Sequence, residues 1–133
     1  MTPEYKSIKN ILDANKFVAD VNQARQLLAQ LLPYSAHWDD CRDDIAGYIY
    51  GQLIWAIATS YEVLGDYENA VQIASDGILK MEADSDYHWN EKSTIYEILG
   101  RCYSQLGDKE KAVSAIEKMP YYDPFQLNTH WPN

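Results

Sequence analysis

Apolar residues recur along this chain at spacings of three and four, the period of a helix that buries one face. In "PEYKSIKNILDA" they fall at Tyr5, Ile8, Ile11 and Leu12; in "FVADVNQARQLLAQLL" they fall at Phe17, Val21, Ala24, Leu27, Leu28 and Leu31. Asn15 or Lys16 stands at the joint between these two helices. Pro33, which lacks the N–H that a helix interior requires, is expected to end the pair. After it, "HWDDCRDD" leads into "IAGYIYGQL" and a second apolar stretch with core positions Leu53, Ile54, Ile57, Ala58, Tyr61 and Leu64.

One phrase is written twice. "LGDYENAV" at 64–71 returns as "LGDKEKAV" at 106–113, an offset of 42 residues, and Tyr61 and Tyr103 keep the same register. Periods of about 20–50 residues indicate stacked units that cannot bury their apolar faces alone. The phrase reads as helix, one-residue break, helix. Gly65 and Gly107 follow periodic apolar runs, where a left-handed residue commonly ends a helix. Asp66 and Asp108 are then placed to cap the next helix. Glu68 and Glu110 fall in its first turn, where the helix dipole favours negative charge. Asn69 and Lys111 stand where Glu or Gln would complete a capping box.

"IWAIATSYEVLGDYENAV" and "YEILGRCYSQLGDKEKAV" resemble tetratricopeptide repeats. Tyr96, Leu99, Gly100 and Tyr103 follow the family's first-helix pattern, and Ile54, Ile57, Ala58 and Tyr61 are its conservative counterpart. Ala70 and Ala112 are the small residues early in the second helices; seven positions on stand Gly77 and Met119. The resemblance implies an all-α fold of about six helices, arranged as three antiparallel hairpins in a right-handed stack. It divides a single domain, 1–133, into a degenerate hairpin (3–33), two repeats (36–82 and 86–119) and an extended aromatic tail (120–133). The period exceeds the family's usual length of about 34 by about eight residues. The excess falls in "EADSDYHWN", where Ser85 or Asp86 is expected to cap a lengthened first helix.

Composition narrows the function. The chain has 133 residues, a formal charge of −9 and a pI near 4.6. It carries no basic stripe for direct contact with nucleic acid and none for an anionic membrane surface. Neither a signal-like apolar run nor a membrane span is visible, so a cytoplasmic protein is expected. Cys41 and Cys102 lie in helical patterns and are expected to be reduced. The tail contains Tyr121, Tyr122, Phe125 and Trp131, which a disordered segment would lack. It is expected to cover the end of the stack or to meet another chain.

Candidate chemistry is sparse. His37, His88 and His130 each precede tryptophan. Stacked helices stand about 8–10 Å apart, whereas imidazoles bind zinc at about 2 Å, so no shared metal is expected. His37, Asp40, Cys41 and Asp44 share one helical face, which reads as a solvated acidic helix start. No nucleophile arrangement or phosphate loop is present, so neither an enzyme nor a cofactor is expected.

In tetratricopeptide stacks the first helix of each hairpin lines the inner wall. The resemblance therefore assigns to a binding wall Tyr48, Gln52, Trp55, Thr59 and Glu62 from one repeat, and Asn90, Thr94, Glu97, Arg101 and Ser104 from the next. Trp55 is the expected anchor, and Glu97 and Arg101 are spaced to pair. Family members that grip acidic C-terminal peptides use a cluster of Lys, Arg and Asn here; with Arg101 the one cation on the wall, that activity is not expected. The expected function is non-enzymatic binding of a peptide or protein segment, or of a second copy of the chain. A second resemblance, of "IYEILGRCYSQLGDKEKAVSAIEKMP" to the repeat region behind bacterial helix-turn-helix domains, implies an alternative: the sensor or dimerisation part of a transcriptional regulator. A metal- or small-molecule-binding helical domain is a further alternative.

Overall fold

The computed structural model describes residues 2–38, 47–83 and 89–119, with the side chains of 47, 48 and 89–91 excepted. These residues form six helices, α1 (Pro3–Ala14), α2 (Val21–Ala36), α3 (Gly47–Val63), α4 (Tyr67–Glu82), α5 (Trp89–Gln105) and α6 (Lys109–Glu117), and among them there is no strand. The architecture is all-α, with successive helices paired. The expected caps at Ser85 or Asp86, the acidic run through Asp40, Cys41 and Asp44, and the tail from Pro120 all lie outside the described residues.

The first pair departs from its expected limits at both ends of α2. Thr2 caps α1 by accepting the Tyr5 N–H at 3.1 Å, and Pro3 occupies the first turn, where no donor is missed. The joint runs from Asn15 to Asp20, and Phe17 lies in it, 80% exposed rather than on a buried helix face. Gln23 holds this joint. Its Nε2 donates to the Asn15 side chain at 3.1 Å and the Phe17 carbonyl at 2.6 Å, while its Oε1 accepts from Ala19 N at 2.7 Å. Asp20 caps α2 through the Gln23 N–H at 2.9 Å. At the other end, α2 does not stop at Pro33 but continues to Ala36. The proline removes only the bond to the Ala29 carbonyl, and Ala29 and Pro33 are both exposed, so water can serve that carbonyl.

Both elbows close the same way. Gly65 and Gly107 have φ of 76° and 82°. Gly65 N donates to Glu62 O at 2.9 Å and Asp66 N to Tyr61 O at 2.9 Å; Gly107 and Asp108 repeat this with Ser104 and Tyr103 at 3.1 and 2.9 Å. This is a Schellman closure. Asp66 and Asp108 then turn their carboxylates to the next helices, accepting from Asn69 N at 3.3 Å and Lys111 N at 3.1 Å. The break is therefore three residues, Leu64–Asp66 and Leu106–Asp108, not one. The unfinished capping box is also put to use, since Asn69 Nδ2 donates to Asp66 Oδ2 at 2.7 Å.

Helix α3 sits in the middle, packed against α1, α2, α4 and α5. Leu53, Ile54, Ile57 and Ala58 are fully buried as expected, while Tyr61 and Leu64 are only half-buried. Ile49, Tyr50, Ala56 and Ser60 are buried as well, so most of the helix circumference is enclosed. Ser60 satisfies its hydroxyl on the Ala56 carbonyl at 2.6 Å. Trp38, 4% exposed, rests at a tilt on Tyr50 with ring centroids 4.9 Å apart.

The α3–α4 contact depends on a missing side chain. A Cβ built on Gly77 would meet Ile54 Cγ2 at 2.8 Å, and Ile54 is itself fully buried. Gly77→Val should therefore cost about 1–3 kcal/mol through overpacking, in spite of the poor helix propensity of glycine. Gly65→Ala meets no atom within 4 Å and should cost only the left-handed backbone penalty, about 1–2 kcal/mol. Urea unfolding of both variants checks the ranking; a Gly77→Val chain as stable as its parent would contradict the close approach.

Candidate functional site

Helices α1, α3 and α5 together wall a groove of about 500 Å³. Leu12 and Asp13 enter from the end of α1, Asn15 and Lys16 from its joint, Gly51, Gln52 and Trp55 from α3, and Thr94 from α5. Of the residues assigned to the binding wall, Gln52, Trp55 and Thr94 thus meet in one depression. Gln52 and Thr94 are exposed, and Trp55 is half-buried, with part of its ring packed on the core. The α1 contribution had no sequence signal, because nothing in "LDANK" distinguishes a groove wall from an ordinary loop.

Two turns further along α3 and α5, the wall becomes an ion cluster. Arg101 Nε and Nη2 donate to the two carboxylate oxygens of Glu62 at 2.9 and 3.0 Å, a forked pair linking α5 to α3. Its Nη1 donates to Glu97 at 3.0 Å, the pairing anticipated within α5. Each of the three guanidinium nitrogens therefore faces a carboxylate, and the hydrogen bond to Glu62 is the main reason its pKa is raised. The cluster carries one net negative charge and offers no uncompensated cation to an incoming carboxylate. Glu62 and Glu97 were assigned as wall contacts; both are occupied in holding Arg101.

The remaining assigned residues are placed differently. Thr59 is half-buried, but its Oγ1 is buried without a partner among the described residues, so its hydroxyl is not offered to solvent. Ser104 is half-buried one turn beyond Arg101. Tyr48 and Asn90 belong to α3 and α5, with side chains outside those described.

Behind this wall, α5 is anchored by polar contacts of its own. Tyr96 donates its hydroxyl to Glu82 at 2.7 Å, and burial together with that bond raises the phenol's pKa. Cys102 is a free, fully buried thiol that burial pushes up to about 12. Among the described residues no three His, Cys, Asp or Glu side chains are grouped to hold a metal, and no helix is long and apolar enough to cross a membrane.

The family model described as tetratricopeptide repeat matches residues 93–124, a stretch that takes in most of α5, the Gly107 elbow and α6. Residues 93–124 are thus similar to a tetratricopeptide repeat, and the described fold is all-α and tetratricopeptide-like. Repeats of this kind generally mediate protein–protein interaction and are typically non-enzymatic. No curated protein and no solved structure matches the chain.

Two outcomes are expected of this wall. In a double-mutant cycle, Glu62–Arg101 should couple more strongly than Glu97–Arg101, up to about 1 kcal/mol against a few tenths. The Glu62 side chain is 19% exposed and that of Glu97 39%, and the first pair alone is forked. Equal couplings would contradict the fork. The Cys102 thiol has a folded pKa above its unfolded value, so its contribution to stability is complete below about pH 9 and lost as the pH climbs towards 12. Alkaline unfolding of Cys102→Ala should accordingly show a smaller loss over that window than the parent.

Proposed function

We propose that the chain is a non-enzymatic module that binds an extended peptide segment of a partner protein in the groove between α1, α3 and α5. The observation that carries this reading is the convergence of Gln52, Trp55 and Thr94 with the end of α1 in one open depression. Trp55 is the anchor: it combines a large apolar surface with a donor N–H, and interface energy concentrates in such residues. Gln52, exposed beside it, brings an amide able to meet a peptide backbone.

The charge around the groove decides the kind of segment. Asp13 and Lys16 offset each other on the rim, and the Glu62–Arg101–Glu97 cluster adds one negative charge in a strongly acidic chain. A segment with one large apolar side chain and basic or uncharged flanks fits this field; an acidic terminus does not. A cytoplasmic setting accords with the free, buried Cys102.

Peptides selected by display on the full chain should be basic on balance, and Trp55→Ala should weaken them at least about tenfold. Gln52→Lys changes an exposed position without touching the core and should weaken the same peptides by repulsion. Peptides indifferent to both variants would remove the groove from the account. A concentration-dependent dimer that Trp55→Ala dissolves would make a second copy the occupant.

A further inference from the structure

The joint between α1 and α2 reads "NKFVAD", with neither glycine nor proline to set the path of its backbone. Among the described residues, 16–19 make no backbone–backbone hydrogen bond. Lys16, Phe17, Ala19 and Asp20 are exposed, and Val18 alone packs against the core. A segment so thinly packed has a low local stability of its own. Yet it delivers Asn15 and Lys16 to the groove around Trp55.

One side chain fastens it. Gln23 stands three residues after the Asp20 cap, where a capping box would return its Oε1 to the Asp20 N–H. It reaches further back instead. Oε1 accepts the Ala19 N–H at 2.7 Å, and Nε2 donates to the Phe17 carbonyl at 2.6 Å and to Asn15 Oδ1 at 3.1 Å. Asn15 passes the constraint on, because its Nδ2 donates to the Ile11 carbonyl at 2.8 Å and so ties the joint to the last turn of α1. Asn15 therefore meets the groove as a fixed part of its wall, with Lys16 directly after it. Gln23 itself is half-buried and does not line the groove.

We propose that Gln23 is the positioning residue of the α1 wall, and that affinity for a segment bound around Trp55 depends on its side-chain amide. The proposal rests on the peptide-binding reading above. A wall fixed in advance need not be ordered by the partner, so less of the contact energy is lost on binding. The helix that carries Gln23 does not need this amide, since Asp20 caps it through the Gln23 backbone N–H at 2.9 Å.

Two variants of the full chain test this. Gln23→Met keeps the side-chain length and the helix propensity but removes all three bonds. Gln23→Glu keeps the acceptor for Ala19 and sets a carboxylate against the Asn15 and Phe17 oxygens. Exchange of the Ala19 amide, followed by NMR, should be several-fold faster in Gln23→Met, while both variants unfold close to the parent's urea midpoint. The binding probes are peptides selected by display on the parent chain and lost in Trp55→Ala. Both variants should bind them about fivefold more weakly, the order of one net hydrogen bond. The sign in Gln23→Glu is diagnostic, because a new negative charge alone would tighten a basic peptide. Parent-like affinity in both variants, with Trp55→Ala still inactive, would overturn the role of Gln23 and leave the groove standing. So would an unchanged Ala19 exchange rate, or weakening that merely follows a lowered midpoint. Selection that yields no Trp55-dependent peptide would remove the groove, and the role of Gln23 with it.

Discussion

Reversing a helix within three residues leaves carbonyls at one end and N–H groups at the next without partners. The Gly–Asp elbow solves both halves together. A glycine at φ near +80° lets the chain fold back onto its own last carbonyls, and the aspartate that follows caps the next helix with its side chain. A residue with a Cβ would strain the first half, and an apolar residue after it would forfeit the second. Because α3–α4 and α5–α6 use the same elbow, the two hairpins leave their joints alike and stack α4 on α5. The Glu62–Arg101 brace joins the two hairpins so stacked, while the groove around Trp55 also needs the end of α1.

The stack gives α3 an unusual position. With α1, α2, α4 and α5 all against it, it buries most of its described side chains, and Gln52, Trp55 and Glu62 are among those it leaves exposed or half-buried. Gly77 allows α4 to come close enough for Ile54 to be sealed between them. Gln52, Trp55 and Glu62 are therefore carried by a helix packed against four others, the kind of support that would preorganise the proposed contact surface. Its charged end is spent internally, with Arg101 tying α5 to α3 through Glu62. Under the proposed reading, the part of the wall left to a partner is the apolar and amide surface of Trp55 and Gln52, a different chemistry from acidic-terminus capture.

Much of this was legible before any coordinates. The elbows, their glycines and aspartates, the Glu97–Arg101 pair and the buried face of α3 all depend on residues within about four positions of one another, where backbone hydrogen bonds and helical spacing act directly. The match of residues 93–124 to the tetratricopeptide repeat falls on the same local pattern. The limits of α2 were misread for an equally local reason. Phe17 fits a helical period yet lies in a joint held by Gln23, and Pro33 sits close enough to the helix end that its missing donor is tolerated.

Contacts between distant parts of the chain were another matter. Glu62 meets Arg101 across 39 positions, Asn15 and Lys16 come to stand beside Trp55, and the Thr59 hydroxyl turns inward. Periodicity gives the face on which a side chain leaves its helix, but the partner it finds depends on how helices cross and how closely they approach. Those quantities are set jointly by every residue in the interface. The repeated phrase sufficed for the hairpin; only the packed molecule shows which side chains, such as Glu62 and Arg101, are already engaged with one another.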